Sequence, residues 1–213
     1  MIELFLSAFI TFFVVIDPPG CAPIYASLTK GANATQRRSM AVRAILVAGG
    51  ILLVFALFGE QLLGALHIEL NSFRIAGGIM LFLIALDMVF EKRTQRREER
   101  AQKIIDTPEI EDVSIFPMAM PMIAGPGSIA SVMLLTGEND GLDRAVVVLS
   151  ALGAVLLLTL LALLAAGPIM RVLGQQTEAV ITRLLGVLLG ALAAQFVIDG
   201  IRASFALAGA TAT

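Results

Sequence analysis

The stretch FVVIDPPGCAPIYASLT, residues 13–29, sets an aspartate, three prolines and a glycine inside a run otherwise apolar enough to cross a bilayer. Proline in a helix interior costs roughly 3 kcal/mol, and a charged residue at the bilayer centre about 2.5–3.5 kcal/mol on insertion scales. A span does not carry both by accident. Asp17-Pro18-Pro19-Gly20 also reads as a helix start, because aspartate is a favoured N-cap and proline suits the first turn, where its missing N–H is not needed. The first span is therefore expected to be two half-helices, the second starting near mid-membrane.

Composition fixes the class. The 213 residues are 58% hydrophobic and 15% charged, with a mean hydropathy of +0.90, against about 45–50% apolar and about 25% charged in a soluble domain. This is an all-α membrane protein. Six runs approach the roughly 20 apolar residues that a bilayer needs: Ile2–Leu28, Val42–Leu66, Phe73–Phe90, Val113–Thr136, Ala145–Met170 and Ala179–Ala203. The first has Glu3 where a signal peptide carries basic residues, so it reads as a retained span. One cysteine and one histidine leave no disulfide and no metal-ligand spacing, and no cofactor is expected. A net charge of −2, with the one basic run lying beside as many acids, excludes nucleic acid as a partner.

The chain divides into a three-span unit (1–90), a charged linker (91–112) and a second three-span unit (113–213). The linker, EKRTQRREERAQKIIDTPEIED, has no helix breaker before Pro108, so its first half is expected to continue the third span out of the membrane as a helix. Lysine and arginine favour the cytoplasmic side. Placing both termini outside puts twelve of the fifteen basic residues inside, leaving Arg74, Arg144 and Arg202 outside.

The two units look like copies. A shift of 107 lays Pro19, Gly20, Leu28 and Thr29 on Pro126, Gly127, Leu135 and Thr136, and a shift of 109 lays Arg74, Gly77 and Ala85 on Arg183, Gly186 and Ala194. Three spans is an odd number, so the second copy must be inverted. Inverted repeats mark secondary transporters, with substrate held near the midplane between the copies. The fourth span repeats the break of the first: Gly125 is a permissive cap, Pro126 stands in the first turn and Ser128 follows. The amides of Gly20, Cys21 and Ala22, and of Gly127, Ser128 and Ile129, would then point inward with a positive dipole end behind them. Two such N-termini make an anion site, most naturally for a carboxylate.

Plainer readings stand beside this one. Each break alone could be a packing kink. Asp17 could cap its half-helix, bind a substrate ammonium or carry a coupling proton. Asp87 and Asp199 lie toward span ends, where the interface solvates them, and Gln195 reads as interhelical glue. Gly49–Gly50, Gly77–Gly78 and Gly186–Gly190 permit close helix packing, and so permit a homodimer. Tyr25, Thr29, Ser131 and Thr136 could add polar contacts.

The paired breaks, with MAMPMIAGPGSIA and RLLGVLLGALAAQFVIDGI, resemble the MarC family of bacterial and archaeal inner-membrane proteins, whose pattern joins D-P-x-G-x-x-P to A-G-P-G. The resemblance covers nearly the whole chain. It implies a six-span inner-membrane protein with periplasmic termini, related to LysE-type exporters, some relatives being described as carriers of glycine and alanine. It places the substrate site on Asp17, Pro18, Gly20 and Pro23 in one copy and Gly125, Pro126, Gly127 and Ser128 in the other, and the candidate site takes in Pro19 and Cys21 of the same stretch. Pro19 and Cys21 depart from the expected bulkier apolar and polar residues. The expected function is secondary transport of a small neutral amino acid, with proton coupling as an option. The other classes considered are a drug or metabolite exporter, a non-transporting scaffold, and an intramembrane aspartyl protease, whose GxGD-type signature is absent. The protein is therefore expected not to be an enzyme.

Overall fold

The computed structural model describes residues 1–105, 112–137 and 141–210. These form helices α1 (Ile2–Ile16), α2 (Pro18–Leu28), α3 (Ala34–Ala65), α4 (Leu70–Val89) and α5 (Lys92–Ile105), a wide-wound segment Ser114–Ile123, then α6 (Pro126–Gly137), α7 (Leu142–Leu164) and α8 (Ala166–Ala210). No strand occurs among the described residues.

Five stretches are long and apolar enough to cross a membrane: Ile2–Leu28, Ala34–Ala65, Leu70–Val89, Leu142–Leu164 and Ala179–Phe205. Ser114–Ile123 and Pro126–Gly137, bent by 54° at their junction, make a sixth if taken as one. Local chemistry accounts for the shifted boundaries. Helix α3 begins well before the apolar run because Asn33 builds a capping box: its side chain accepts from Gln36 N–H at 2.9 Å, and the Gln36 side chain accepts from Asn33 N–H at 3.0 Å. The fifth run stops at Leu164 rather than Met170, because Pro168 is placed in the first turn of a new helix.

The linker departs from expectation. It does not continue the third span, because Glu91 takes a left-handed conformation (φ 59°) that ends α4 and turns the chain. Helix α5 then packs back on α2 and α4. Linker residues 106–111 lie outside the described residues.

Helix α4 lies along α8, α3 on α7, and α1 and α2 both on α7. The wide-wound segment and α6 lie on α3, α2 reaches α8, and α6 reaches α4. The α4–α8 approach is close enough that a Cβ at Gly78 would stand 2.9 Å from the Ala193 carbonyl oxygen. A Cβ at Gly186 would stand 2.8 Å from Met88 Cβ. Side chains as large as Phe12, Ile16, Tyr25, Leu52, Met118 and Ile123 fill the core, while Leu46, Phe58, Leu83, Leu157, Leu184 and Val187 are exposed. Such an apolar exterior suits lipid, whose tails solvate it, and not water.

Candidate functional site

The first break is closed by an internal ion pair. Asp17 is left-handed (φ 59°, ψ 66°), a conformation aspartate tolerates better than most residues, and it serves as both C-cap of α1 and N-cap of α2. Its Oδ1 accepts from the Gly20 amide at 3.1 Å. Its Oδ2 accepts from Arg97 Nη1 at 3.0 Å. Asp17 is 1% exposed and Arg97 7%, so this pair is buried. The Cys21 amide donates to the Asp17 carbonyl at 3.0 Å. The amides of Gly20 and Cys21, expected to await a ligand, are already used.

The prolines create the vacancies that the rest of the break fills. In an uninterrupted helix the Val15 carbonyl would accept from residue 19, but Pro19 has no N–H. Arg93 takes its place, donating from Nη2 to Val15 O at 2.6 Å and from Nη1 to Met88 Sδ at 3.0 Å. Likewise Gly20 N–H turns to Asp17, and the Cys21 thiol donates to the Ile16 carbonyl at 3.5 Å. Burial, and then the neighbouring Arg97 guanidinium, push the pKa of Arg93 down to about 10.

The second break is built differently. Phe116 and Met120 are extended, as residues before proline are steered to be, and they interrupt the winding ahead of Pro117 and Pro121. At Gly125 a Cβ would lie 2.4 Å from the Pro121 carbonyl oxygen, which only glycine avoids. Helix α6 starts at Pro126, and Ile129 N–H donates to Gly125 O at 3.0 Å. The Ser128 hydroxyl donates to Ile123 O at 2.7 Å. Gly127 and Ser128 supply amides with no intrahelical acceptor, and no acidic residue stands in Ala124-Gly125-Pro126-Gly127 to cap them.

This second N-terminus opens on a cavity of about 370 Å³, within the roughly 300–1,000 Å³ of small-molecule sites. Its lining joins Gly125, Pro126, Gly127 and Ser128 to Arg93, Arg96, Arg97 and Asp87, with Val15, Met80, Leu83, Ile84, Pro121 and Met122 as the apolar part. Asp87 pairs with Arg96. Three guanidinium groups and one carboxylate make the lining cationic.

Of the expected site residues, the four of the second break meet in this cavity. Asp17, Pro18, Gly20 and Cys21 are buried behind it and Pro19 is half-buried, while Pro23 borders a separate recess with Lys30 and Glu98. Of the three roles open to Asp17, the structure shows the cap: its carboxylate occupies the first N-terminus and pairs with Arg97. Asp87, read as interfacial, lines the cavity. Gln195 bonds Asp199 on its own helix at 2.9 Å instead of bridging helices. Thr29 and Thr136 donate to carbonyls one turn back, Tyr25 and Val132 respectively. The three arginines went unread as site residues because their run looks like a solvated linker; the signal was Pro18-Pro19, which leaves carbonyls needing donors.

The sequence profile described as MarC family integral membrane protein matches residues 2–205. A UPF0056 membrane protein of Methanocaldococcus jannaschii is 36% identical over 202 residues, 94% of this chain and 97% of the relative. The UPF0056 membrane protein YvbG of Bacillus subtilis is 32% identical, covering 96% and 97% of the two chains. The UPF0056 inner membrane protein YhgN of Escherichia coli K12 is 33% identical, covering 92% and 95%. No solved structure matches this chain.

Proposed function

The chain belongs to the MarC family of integral membrane proteins, and from that premise we propose that it is a secondary transporter of small neutral amino acids of the glycine and alanine type. The observation that carries this reading is the cationic cavity at the start of α6, where the sequence supplies no acidic cap. A substrate carboxylate there would accept from the Gly127 and Ser128 amides and from the arginines. The ammonium group would face Asp87, the only carboxylate of the lining among the described residues. Asp17 is an internal precedent, one oxygen on a helix-start amide and the other on an arginine.

Alternating access would come from two inverted three-span units rocking against each other. The packing pattern supports this. Exchanging α1 with the wide-wound segment, α2 with α6, α3 with α7 and α4 with α8 turns α1–α7 into 114–123 on α3, α2–α7 into α6–α3, and α2–α8 into α6–α4. The pairs α3–α7 and α4–α8 map onto themselves. Among the described residues the cavity lining holds no aromatic ring, which favours a small solute over a drug. The inner-membrane location named for the Escherichia coli relative and the distribution of basic residues support an inner-membrane protein with periplasmic termini.

The test is uptake of labelled glycine and alanine into proteoliposomes, with and without a proton gradient, comparing wild type with Arg96→Gln. Arg96 is exposed and its ion pair is worth at most about 1 kcal/mol, so the variant keeps its fold. Uptake by the wild type that falls at least about tenfold in the variant supports the site. No uptake of either amino acid by folded, inserted protein sinks the substrate assignment, and equal uptake by both proteins sinks the cavity. Gly127→Leu is a poor probe, because a Cβ there already meets Ile84 Cδ1 at 2.6 Å.

A further inference from the structure

A second recess lies where α2 and the start of α3 meet the α7–α8 junction, with a volume of about 470 Å³. Lys30, Arg37 and Arg38 contribute its charge, and among the described residues no aspartate or glutamate lines it. We propose that this recess binds a phosphate-type anion, the headgroup of an acidic phospholipid.

Pairing separates these three cations from four other arginines. Arg43, Arg96, Arg97 and Arg183 each meet a carboxylate: Asp112, Asp87, Asp17 and Glu91 respectively. Among the described residues, no carboxylate forms an ion pair with Lys30, Arg37 or Arg38. Three like charges at one mouth repel one another, and a phosphate relieves that repulsion while accepting from guanidinium groups in a forked geometry.

The mount is stiff. The Asn33 capping box fixes the first turn of α3, and the Tyr25 hydroxyl donates to the Arg37 carbonyl, tying that turn to α2. Opposite the cations, Leu163 and Leu164 close α7, and Ala166, Gly167 and Pro168 open α8. The lining is cationic at one end and aliphatic at the other, as a headgroup continuing into acyl chains requires. Basic pockets between spans on the cytoplasmic side suit acidic lipids, and the charge distribution assigns these residues to that side.

The site is independent of the transport cavity and tests separately. The full chain would be purified in detergent, and its thermal unfolding followed during titration with phosphatidylglycerol, phosphatidylcholine or inorganic phosphate at constant ionic strength. Native mass spectrometry would count retained lipid. Phosphatidylglycerol should stabilise the wild type and phosphatidylcholine should not. A Lys30→Gln/Arg37→Gln/Arg38→Gln variant should lose at least about tenfold in apparent affinity, and Arg43→Gln should lose none. If the triple variant does not fold, Arg38→Gln alone should show a smaller loss in the same direction. Stabilisation by inorganic phosphate with nothing added by phosphatidylglycerol would overturn the lipid occupant. Equal lipid retention by variant and wild type, or no response to either anion, would overturn the site.

Discussion

Both helix breaks restart a helix at a first-turn proline, and they end in opposite states. At Asp17 the start of α2 is capped by the chain's own carboxylate, which Arg97 neutralises. At Gly125 the start of α6 has no acidic cap and faces a cavity lined by guanidinium groups. In the alignment of the two halves at a shift of 107, Asp17 falls on Ala124. One carboxylate separates a filled N-terminus from an open one. The filled break displays the contacts that, in the proposed function, the open one would offer to a substrate carboxylate.

The largest expected effect comes from unfilling the first break. Asp17→Ala leaves Arg97 buried without a counter-charge, a loss of about 3–5 kcal/mol, and places alanine in a left-handed conformation that it resists. Arg97→Met should cost a similar amount through the stranded carboxylate. Asp17→Asn/Arg97→Met should recover much of either loss, since asparagine still caps and no lone charge remains. Thermal unfolding in detergent reads all three. Strictly additive losses would mean that the two side chains are not coupled.

Gly20→Ala attacks the same pair without touching its charges. A Cβ at Gly20 would stand 2.2 Å from Asp17 Oδ2 and 3.0 Å from Arg97 Nη1, and Asp17 cannot swing clear while its other oxygen caps the Gly20 amide. The expected destabilisation is about 1–3 kcal/mol. Gly31→Ala, with nothing within 4 Å of its Cβ, is the control and should change little. Equal effects at the two glycines would show the first break to be looser than its geometry.

The helix starts at Pro18 and Pro126 were legible. Asp-Pro-Pro-Gly and Ala-Gly-Pro-Gly name a capping residue, a first-turn proline and a close-packed glycine by type alone. What fills each break was not legible, because Arg97 is separated from Asp17 by 80 positions and sits in a run whose composition suits a solvated linker. The reversal at Glu91 that brings α5 back puts a glutamate in a left-handed conformation, and nothing in the residue type announces it. Pro19 could have prompted the search, since a helix that loses an N–H leaves a carbonyl wanting a donor. In the case of Val15 the donor is Arg93.

That donor makes the open break sensitive to alkali. Arg93 is held down to about pKa 10, by burial first and then by Arg97, so above about pH 10 the unfolded chain holds the proton more tightly. The folded chain therefore carries a penalty for the charged form at neutral pH, and that penalty relaxes as pH rises through the folded value. An anion in the cavity loses the same charge over the same range. Acetate, which does not titrate there, should bind roughly two- to tenfold more weakly as pH passes about 10, and an Arg93→Gln variant should bind weakly with no such step. A step unchanged in the variant would assign it to another group.

The smallest effect is expected at an ion pair that looks similar on paper. Asp112 accepts from the Ser114 amide at 2.9 Å and pairs with Arg43, at the entry to the segment that leads into the second break. Hydrogen bonding from Ser114, with Arg43 behind it, holds the Asp112 carboxyl below its ordinary range. A lowered carboxylate pKa contributes stability that is present at neutral pH and is lost as pH falls through the folded value. Both side chains are about half exposed, at 56% for Arg43 and 44% for Asp112, so water screens the pair and Asp112→Asn should cost under about 1 kcal/mol. Burial, not the presence of opposite charges, is what makes the Asp17–Arg97 pair costly to break. A loss at Asp112 as large as at Asp17 would overturn that distinction, because the order of the second break would then depend on its approach as strongly as the first depends on its own capping carboxylate.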